Sequence, residues 1–106
     1  MSRYRMSDGT VVDTKNAVAQ WEEDTRWDGR NYISVATGSQ WEHQTLYRSR
    51  KGRFYIEHVS SYEGTTPGVE WCSNEEATRW LLANGHNPED ADFPKDLFLL
   101  VEEVSE

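Results

Sequence analysis

Residues 46–56 read Leu-Tyr-Arg-Ser-Arg-Lys-Gly-Arg-Phe-Tyr-Ile, and this stretch predicts the central hairpin of the fold. The glycine of Arg50-Lys51-Gly52 can take the left-handed backbone conformation that closes a three-residue loop. With that turn, Tyr47 faces Tyr55 across the two strands, and such a pair stabilises a sheet by roughly 0.2–1 kcal/mol relative to an alanine pair. We therefore predict a long antiparallel hairpin over residues 42–62.

The chain before this hairpin contains a turn signal, a helical pattern and a strand pattern. Asp8-Gly9 is typical of the turn between two short strands. Residues 15–24 are predicted to form a helix, since their apolar side chains, Trp21 among them, recur on one face of a 3.6-residue period. In residues 31–36 apolar and polar side chains alternate in part, and this pattern predicts a strand.

The chain after the hairpin begins with a short predicted strand, residues 69–72, and continues with a helix. Ser73 and Glu76 have the spacing of a capping box at the start of that helix. Pro94 suits the first turn of a final helix. Together these elements predict an α+β domain, with an antiparallel sheet of four to six strands, an N-terminal helix and one or two C-terminal helices packed on one face.

Length and composition limit the classes of function. The 106 residues suffice for one domain, residues 1–106, and are too few for separate cofactor and substrate domains. The longest apolar run, residues 97–101, is far below the roughly 20 residues of a membrane-spanning helix. The first six residues include no apolar secretory segment, and Cys72 is the one cysteine. We therefore expect a cytoplasmic protein without disulfides or membrane contact.

No pattern in the sequence points to catalysis. The three histidines, His43, His58 and His86, lie in separate predicted elements without the spacing of metal ligands. The sequence also lacks a glycine-rich phosphate loop and a nucleophile elbow. Cys72 stands at a predicted strand end, where a buried and inert thiol is expected. We predict that the protein is not an enzyme and uses neither a metal ion nor another cofactor.

Charge is distributed unevenly along the chain. The formal net charge of −8 is made up of +1 in residues 1–60 and −9 in residues 61–106. An acidic surface disfavours contact with nucleic-acid phosphates or anionic lipid, and it favours either a basic partner surface or simple solubility. The candidate partner-binding acids are Glu70, Glu75, Glu76, Glu89, Asp90, Asp92, Asp96, Glu102 and Glu103.

The hairpin tip is a short basic segment between aromatic residues. Because cations pair with phosphates and rings stack on bases, this pattern indicates single-stranded nucleic-acid binding. A solvated turn, contact with an acidic protein partner, and ion pairing with the acidic half of the chain are the other interpretations. The candidate nucleic-acid-binding residues are Arg48, Arg50, Lys51, Arg53, Tyr47 and Tyr55.

Five tryptophans are more than so small a core requires. Three are assigned to the core from their predicted positions: Trp21, Trp71 and Trp80. Exposed tryptophan and tyrosine often anchor protein interfaces, so the aromatic residues beside turns are candidate contact residues. These are Trp27, Trp41 and Tyr62, and the other interpretation is that they cover the sheet.

Three groups of residues between positions 4 and 85 carry a family resemblance. They are Asp8-Gly9 with Val12-Asp13-Thr14 and Ala17, Leu46-Tyr47-Arg48 with Lys51-Gly52-Arg53-Phe54-Tyr55, and Glu75-Glu76-Ala77 with Trp80-Leu81. This combination resembles a group of small proteins carried by bacterial phages, plasmids and other mobile elements. Such proteins are often inhibitors of host defence, anti-CRISPR and anti-restriction proteins among them, and the resemblance implies a protein that occupies a basic nucleic-acid channel or blocks a subunit.

The acidic half and the resemblance together predict a non-enzymatic inhibitor of a host nucleic-acid-targeting complex. Its expected partner is a host protein or ribonucleoprotein with a basic surface, and the protein itself is expected to be a monomer or a homodimer. The alternative is a nucleic-acid-binding accessory protein that works through the basic hairpin, residues 48–53.

Overall fold

The computed structural model describes residues 3–60 and 67–104. Its strands are β1 (Arg3–Arg5), β2 (Val11–Asp13), β3 (Ala19–Glu22), β4 (Thr25–Trp27), β5 (Tyr32–Ser34), β6 (Glu42–Arg48), β7 (Phe54–Ser60) and β8 (Gly68–Cys72). Its helices are α1 (Asn74–Ala83) and α2 (Phe98–Val104), with 3₁₀ turns at Thr14–Asn16 and Lys95–Leu97. The strands form one four-stranded antiparallel sheet in the order β3-β6-β7-β8 and two hairpins, β1-β2 and β4-β5. The predicted α+β class is confirmed.

The central hairpin, β6-β7, has the predicted register. Tyr47 pairs with Tyr55, Arg48 pairs with Phe54, and Gly52 adopts a φ of +91° in the turn. A shift of one residue would move every side chain to the opposite face of the sheet. The observed register places Leu46 and Phe54 in the cluster on one face of the sheet, and Tyr47 and Tyr55 in the cluster on the other face.

A helical layer packs on one face of the central sheet. Trp21, Leu46 and Phe54 of the sheet meet Leu81 of α1 and Leu97, which lies just before α2, and all five are buried. Partly buried side chains of α2 pack against the same cluster. Both C-terminal helices therefore lie on one face, as expected.

The β1-β2 hairpin covers the opposite face, which the sequence did not predict. Met6 and Val12 are buried against Tyr47 and Tyr55, and Trp71 of the edge strand β8 packs beside them. The sheet is thus enclosed between two different layers, the helices on one side and the N-terminal hairpin on the other. This second layer forms part of the groove described below.

The predicted N-terminal helix over residues 15–24 is wrong. Helical structure is limited to Thr14–Asn16, and the chain then enters β3, which pairs with β6 along the edge of the sheet. Trp21 is 3% exposed, while its neighbours on β3, Gln20 and Glu22, face solvent. A segment this short fits a helical and a strand period equally well, and pairing with β6 decides the outcome because it satisfies the backbone and buries Trp21.

The predicted cap of α1 is present. The Ser73 hydroxyl accepts a hydrogen bond from the Glu76 N–H at 3.1 Å, and the Glu76 carboxylate accepts one from the Ser73 N–H at 2.9 Å. Near Pro94 the chain makes a 3₁₀ turn before it enters α2. In the part of the chain that the structure describes, no helix has the length and apolar character needed to cross a bilayer.

Candidate functional site

The nine predicted acids lie on β8, on the helical layer and on the segments that connect its elements. Residues 67–104 hold these nine acids and two cations, whereas residues 3–60 hold eight acids and nine cations. The uneven charge along the sequence therefore also appears in the folded structure, where the excess of acidic residues lies in one part of the molecule. One face and one edge of the sheet carry a segment with a net charge of −7.

Five of the nine acids are already engaged inside the protein. The pairs are Glu70 with His58, Glu75 with Arg79, Glu76 with Ser73, Asp90 with Asn87, and Asp96 with Arg48. These contacts cap helices and turns or join neighbouring elements. Replacement of these five residues would change local structure as well as surface charge, so they are poor probes of partner binding.

Asp96 joins the helical layer to the central hairpin. Its carboxylate accepts two hydrogen bonds from the Arg48 guanidinium, at 3.0 and 2.6 Å, in a bidentate pair. The same guanidinium lies 4.7 Å from the centre of the Phe54 ring. These bonds from Arg48 hold the pKa of Asp96 below its usual value of 3.8. Arg48 therefore serves a structural contact on the helical side of the sheet.

Replacing Asp96 with asparagine should flatten the loss of stability in acid. A carboxylate whose pKa is lowered by folding adds stability above its unfolded pKa, and this contribution disappears as the pH falls through its folded pKa. Urea unfolding at about pH 5 and about pH 2.5 should therefore show a larger loss for the wild type than for Asp96→Asn.

The control for this experiment is Asp92→Asn, because Asp92 meets Trp21 through its backbone carbonyl and not through its carboxylate. Its acid dependence should match that of the wild type. If Asp96→Asn lost as much stability in acid as the wild type, the bidentate pair would not have the role assigned to it.

Four exposed acids, Glu89, Asp92, Glu102 and Glu103, make no ion pair with any residue in the ranges 3–60 and 67–104. Glu102 and Glu103 follow Leu99 by three and four positions on α2, so the three side chains share one side of the helix. Leu99 is 85% exposed. We call Leu99, Glu102 and Glu103 the α2 patch: an exposed leucine flanked by two unpaired carboxylates.

Two of the three predicted aromatic contact residues, Trp27 and Trp41, are exposed. Trp27 is exposed on the β4-β5 hairpin and meets the exposed Tyr32, with ring centres 5.1 Å apart. Trp41 is exposed just before β6, and Tyr62 lies outside the described residues. Sequence reasoning missed Tyr32, although the turn signal at Asp28-Gly29 could have placed it opposite Trp27.

The hairpin tip contributes its cations to a groove of about 460 Å³, bounded by β2, the first 3₁₀ turn, the β6-β7 tip and β8. We call it the basic groove. Its charged lining residues are Arg3, Asp13, Arg50, Lys51 and Arg53. Four cations face one carboxylate, so the groove is suited to attract anions.

Arg53 is held against one wall of the basic groove. Its guanidinium lies 3.8 Å from the centre of the Trp71 ring and 3.6 Å from the Asp8 carboxylate. Asp8 also accepts a hydrogen bond from the Trp71 indole N–H at 3.2 Å. In contrast, Arg50 and Lys51 are exposed and pair with no acid in the described part of the chain.

Tyr47 and Tyr55 cannot act as an exposed platform for nucleic-acid bases. Both are buried, and their rings stack on each other with centres 5.2 Å apart. Burial raises the pKa of each phenol to about 12. The Tyr47 hydroxyl donates to Glu57 at 3.4 Å, whereas the Tyr55 hydroxyl has no hydrogen-bond partner among residues 3–60 and 67–104.

A polar cluster around Glu23 was not anticipated from the sequence, which placed this residue in a helix. The Glu23 carboxylate accepts hydrogen bonds from the Gln44 N–H at 2.6 Å and the Ser34 hydroxyl at 2.8 Å, and it contacts His43 Nδ1 at 2.7 Å. The Ser34 hydroxyl donates its hydrogen bond to the Glu23 carboxylate. The cluster joins the β4-β5 hairpin to the central sheet.

Cys72 has the environment of an inert thiol. Burial raises its pKa to about 12, and the nearby Glu76 and Glu70 act in the same direction. A thiol that stays protonated is a poor nucleophile. Across the two described ranges, no group of three or more histidine, cysteine, aspartate or glutamate side chains is placed to hold a metal ion.

No protein-family model matches the sequence, and comparisons with curated proteins and with solved structures find no significant match. A function is therefore inferred from the surfaces and cavities of the chain itself.

Proposed function

We propose that the protein is a non-enzymatic inhibitor that binds a basic surface of a host nucleic-acid-targeting complex through its acidic helical layer. The segregation of charge carries this proposal, since the segment with a net charge of −7 builds β8 and the helical layer. An acidic surface of this kind can compete with nucleic-acid phosphates for a basic channel. The class of partner follows from the resemblance to small proteins of mobile elements.

The α2 patch is the part of this layer best suited to direct contact. Leu99 offers an apolar side chain that is almost fully exposed. Glu102 and Glu103 lie beside it and make no ion pair within the described ranges. Interfaces combine apolar anchors with charges that steer the partner and set the orientation of binding. The patch supplies both on one side of a helix.

The alternative, single-stranded nucleic-acid binding by the hairpin, has weaker support. Arg48 is bound to Asp96, and the rings of Tyr47 and Tyr55 are buried. Arg48 is therefore not free to pair with a phosphate, and neither tyrosine ring can stack on a base. Binding through the remaining cations would fall steeply as the salt concentration rises.

Charge reversal on α2 tests the inhibitor proposal. The double variant Glu102→Lys, Glu103→Lys should bind the partner about tenfold more weakly, because two attractions become repulsions. Its stability should be unchanged or slightly higher, since lysine in the last turn of a helix interacts favourably with the helix dipole. The matched control is Glu22→Lys, Glu42→Lys, which makes the same change in net charge, from −8 to −4, at exposed positions outside the helical layer.

The partner is first captured with tagged protein from the lysate of a bacterial host, with and without nuclease, and identified by mass spectrometry. We expect a defined complex that survives nuclease, is retained by the control variant and is lost by the α2 variant. Equal retention of the two variants would contradict the proposal. Captured proteins that are lost after nuclease treatment would instead support nucleic-acid binding by the hairpin.

A further inference from the structure

The basic groove lies on the opposite face of the sheet from the helical layer, and the inhibitor proposal does not use it. Its volume of about 460 Å³ falls within the range of small-molecule sites, roughly 300–1,000 Å³. Val11, Val12 and Ala17 supply apolar wall, and Tyr55 and Trp71 complete the lining on the side of the sheet. The other lining residues are polar or charged, so the groove offers both an apolar wall and groups that can bind an anion.

The Tyr55 hydroxyl is a buried polar group without a hydrogen-bond partner among the described residues. Tyr55 is 1% exposed, and its hydroxyl has no partner in the described part of the chain. A buried hydroxyl without a hydrogen bond destabilises a protein, so such groups are rare unless they serve a site. The neighbouring Tyr47 hydroxyl, in contrast, has an acceptor in Glu57. Tyr55 also belongs to the lining of the basic groove, so one lining residue carries a buried hydroxyl without a partner among the described residues.

Two of the four cations of the groove are uncommitted among the described residues. Arg50 and Lys51 pair with no acid among residues 3–60 and 67–104, and the exposed Arg3 meets Asp13 only at 3.9 Å. Asp13 in turn accepts a hydrogen bond from the Lys15 N–H at 3.0 Å, which fixes its carboxylate at the start of the first 3₁₀ turn. The charged lining thus carries a net charge of +3.

We propose that the basic groove binds a small organic phosphate monoester. A phosphate monoester carries close to two negative charges at neutral pH and offers three strong acceptor oxygens, which suits several arginine and lysine donors. The phosphate contacts Arg3, Arg50 and Lys51, and the organic part lies along the apolar wall, where an acceptor oxygen meets the Tyr55 hydroxyl. A free phosphorylated metabolite and the 5′-phosphate end of a nucleic acid share this chemistry.

The test is isothermal titration of the full chain with ribose 5-phosphate. We expect binding of ribose 5-phosphate, weaker binding of inorganic phosphate and no binding of ribose. Tyr55→Phe and Lys51→Gln should each weaken the binding of ribose 5-phosphate about tenfold, the usual effect of one lost hydrogen bond to a charged or buried partner. Lys95→Gln, the same change on the helical layer, should leave the affinity unchanged.

Stability measurements separate a binding defect from a folding defect. Tyr55→Phe removes a hydroxyl that has no partner among the residues that the structure describes, so its Tm without ligand should be equal to that of the wild type or a few degrees higher. A lower Tm would mean that the hydroxyl already has a structural acceptor, which would overturn the assignment of Tyr55.

Two further results would overturn the site itself. One is the absence of binding at millimolar ribose 5-phosphate, and the other is equal affinity for inorganic phosphate and ribose 5-phosphate with no effect of Tyr55→Phe. A trinucleotide with or without a 5′-phosphate distinguishes the two sources. Phosphate-dependent binding of the trinucleotide supports a nucleic-acid end, and binding of ribose 5-phosphate alone supports a metabolite.

This inference does not depend on the inhibitor proposal. The α2 variant Glu102→Lys, Glu103→Lys should bind ribose 5-phosphate with the affinity of the wild type, because α2 lies on the other face of the sheet. Conversely, the Lys51→Gln variant should still bind the partner protein of the inhibitor proposal. Each proposal can therefore fail while the other stands.

Discussion

Trp21→Ala should lower the free energy of unfolding by about 3–5 kcal/mol, the range measured when a large aromatic side chain is removed from a core. Trp21 lies on β3 and is 3% exposed within the cluster between the sheet and the helices. Its ring is tilted against Phe54, with centres 6.1 Å apart, and its indole N–H donates to the Asp92 carbonyl at 3.1 Å. One side chain thus ties an edge strand, the central hairpin and the connection before α2 together.

The loss of that contact is large for a domain of this size. Single domains are stable by about 5–15 kcal/mol, so the variant would lose about a fifth or more of the total. Urea unfolding followed by circular dichroism measures the change. Trp21→Phe is the control, because it keeps an aromatic ring but loses the hydrogen bond and some volume. It should lower the free energy of unfolding by less than half as much as Trp21→Ala. A loss of under about 1 kcal/mol for Trp21→Ala would show that the indole is not part of the core.

Glu23→Ala should lower the free energy of unfolding by about 2–4 kcal/mol, because it leaves several polar groups without their acceptor. The Glu23 side chain is 10% exposed and contacts the Gln44 N–H, the Ser34 hydroxyl and the His43 ring. Ser34 is fully buried, so its hydroxyl would have little access to water in the variant. The contacts between the β4-β5 hairpin and the central sheet would be weakened first.

The adjacent Glu22 provides the control for this variant. Glu22 is exposed on the other side of the same strand end, and Glu22→Ala should change stability by no more than about 0.5 kcal/mol, as is usual for surface positions. Glu23→Gln, which keeps one acceptor oxygen, should lie between the two. Urea midpoints at neutral pH give all three values, and equal midpoints for Glu22→Ala and Glu23→Ala would show that the cluster contributes little.

The elements that were predicted correctly are those whose signals are local. The Arg50-Lys51-Gly52 turn sets the register of β6 and β7 because the loop length and the position of its glycine leave one pairing that suits both faces. Ser73 and Glu76 specify the start of α1 because a capping box needs only four consecutive residues. In both cases the groups that interact lie within a few positions of one another.

The errors fall where distant segments decide the structure. Residues 15–24 have an apolar pattern that suits a short helix, but β6 offers Trp21 a place in the core only if the segment is a strand. The role of Arg48 was missed for a related reason, since its partner Asp96 follows it by 48 positions. No local pattern of charges indicates such a pair.

The sequence by itself determined the α+β class, the central hairpin, the capped helix and the separation of charge along the chain, because turn, cap and charge signals act over a few residues or need no partner at all. Only the tertiary structure decided that residues 19–22 form a strand and that the N-terminal hairpin covers the second face. It also decided that cations from both ends of the first 53 residues line one groove together with Tyr55. Burial and long-range pairing select these outcomes, since each depends on surfaces that exist only after the chain has folded.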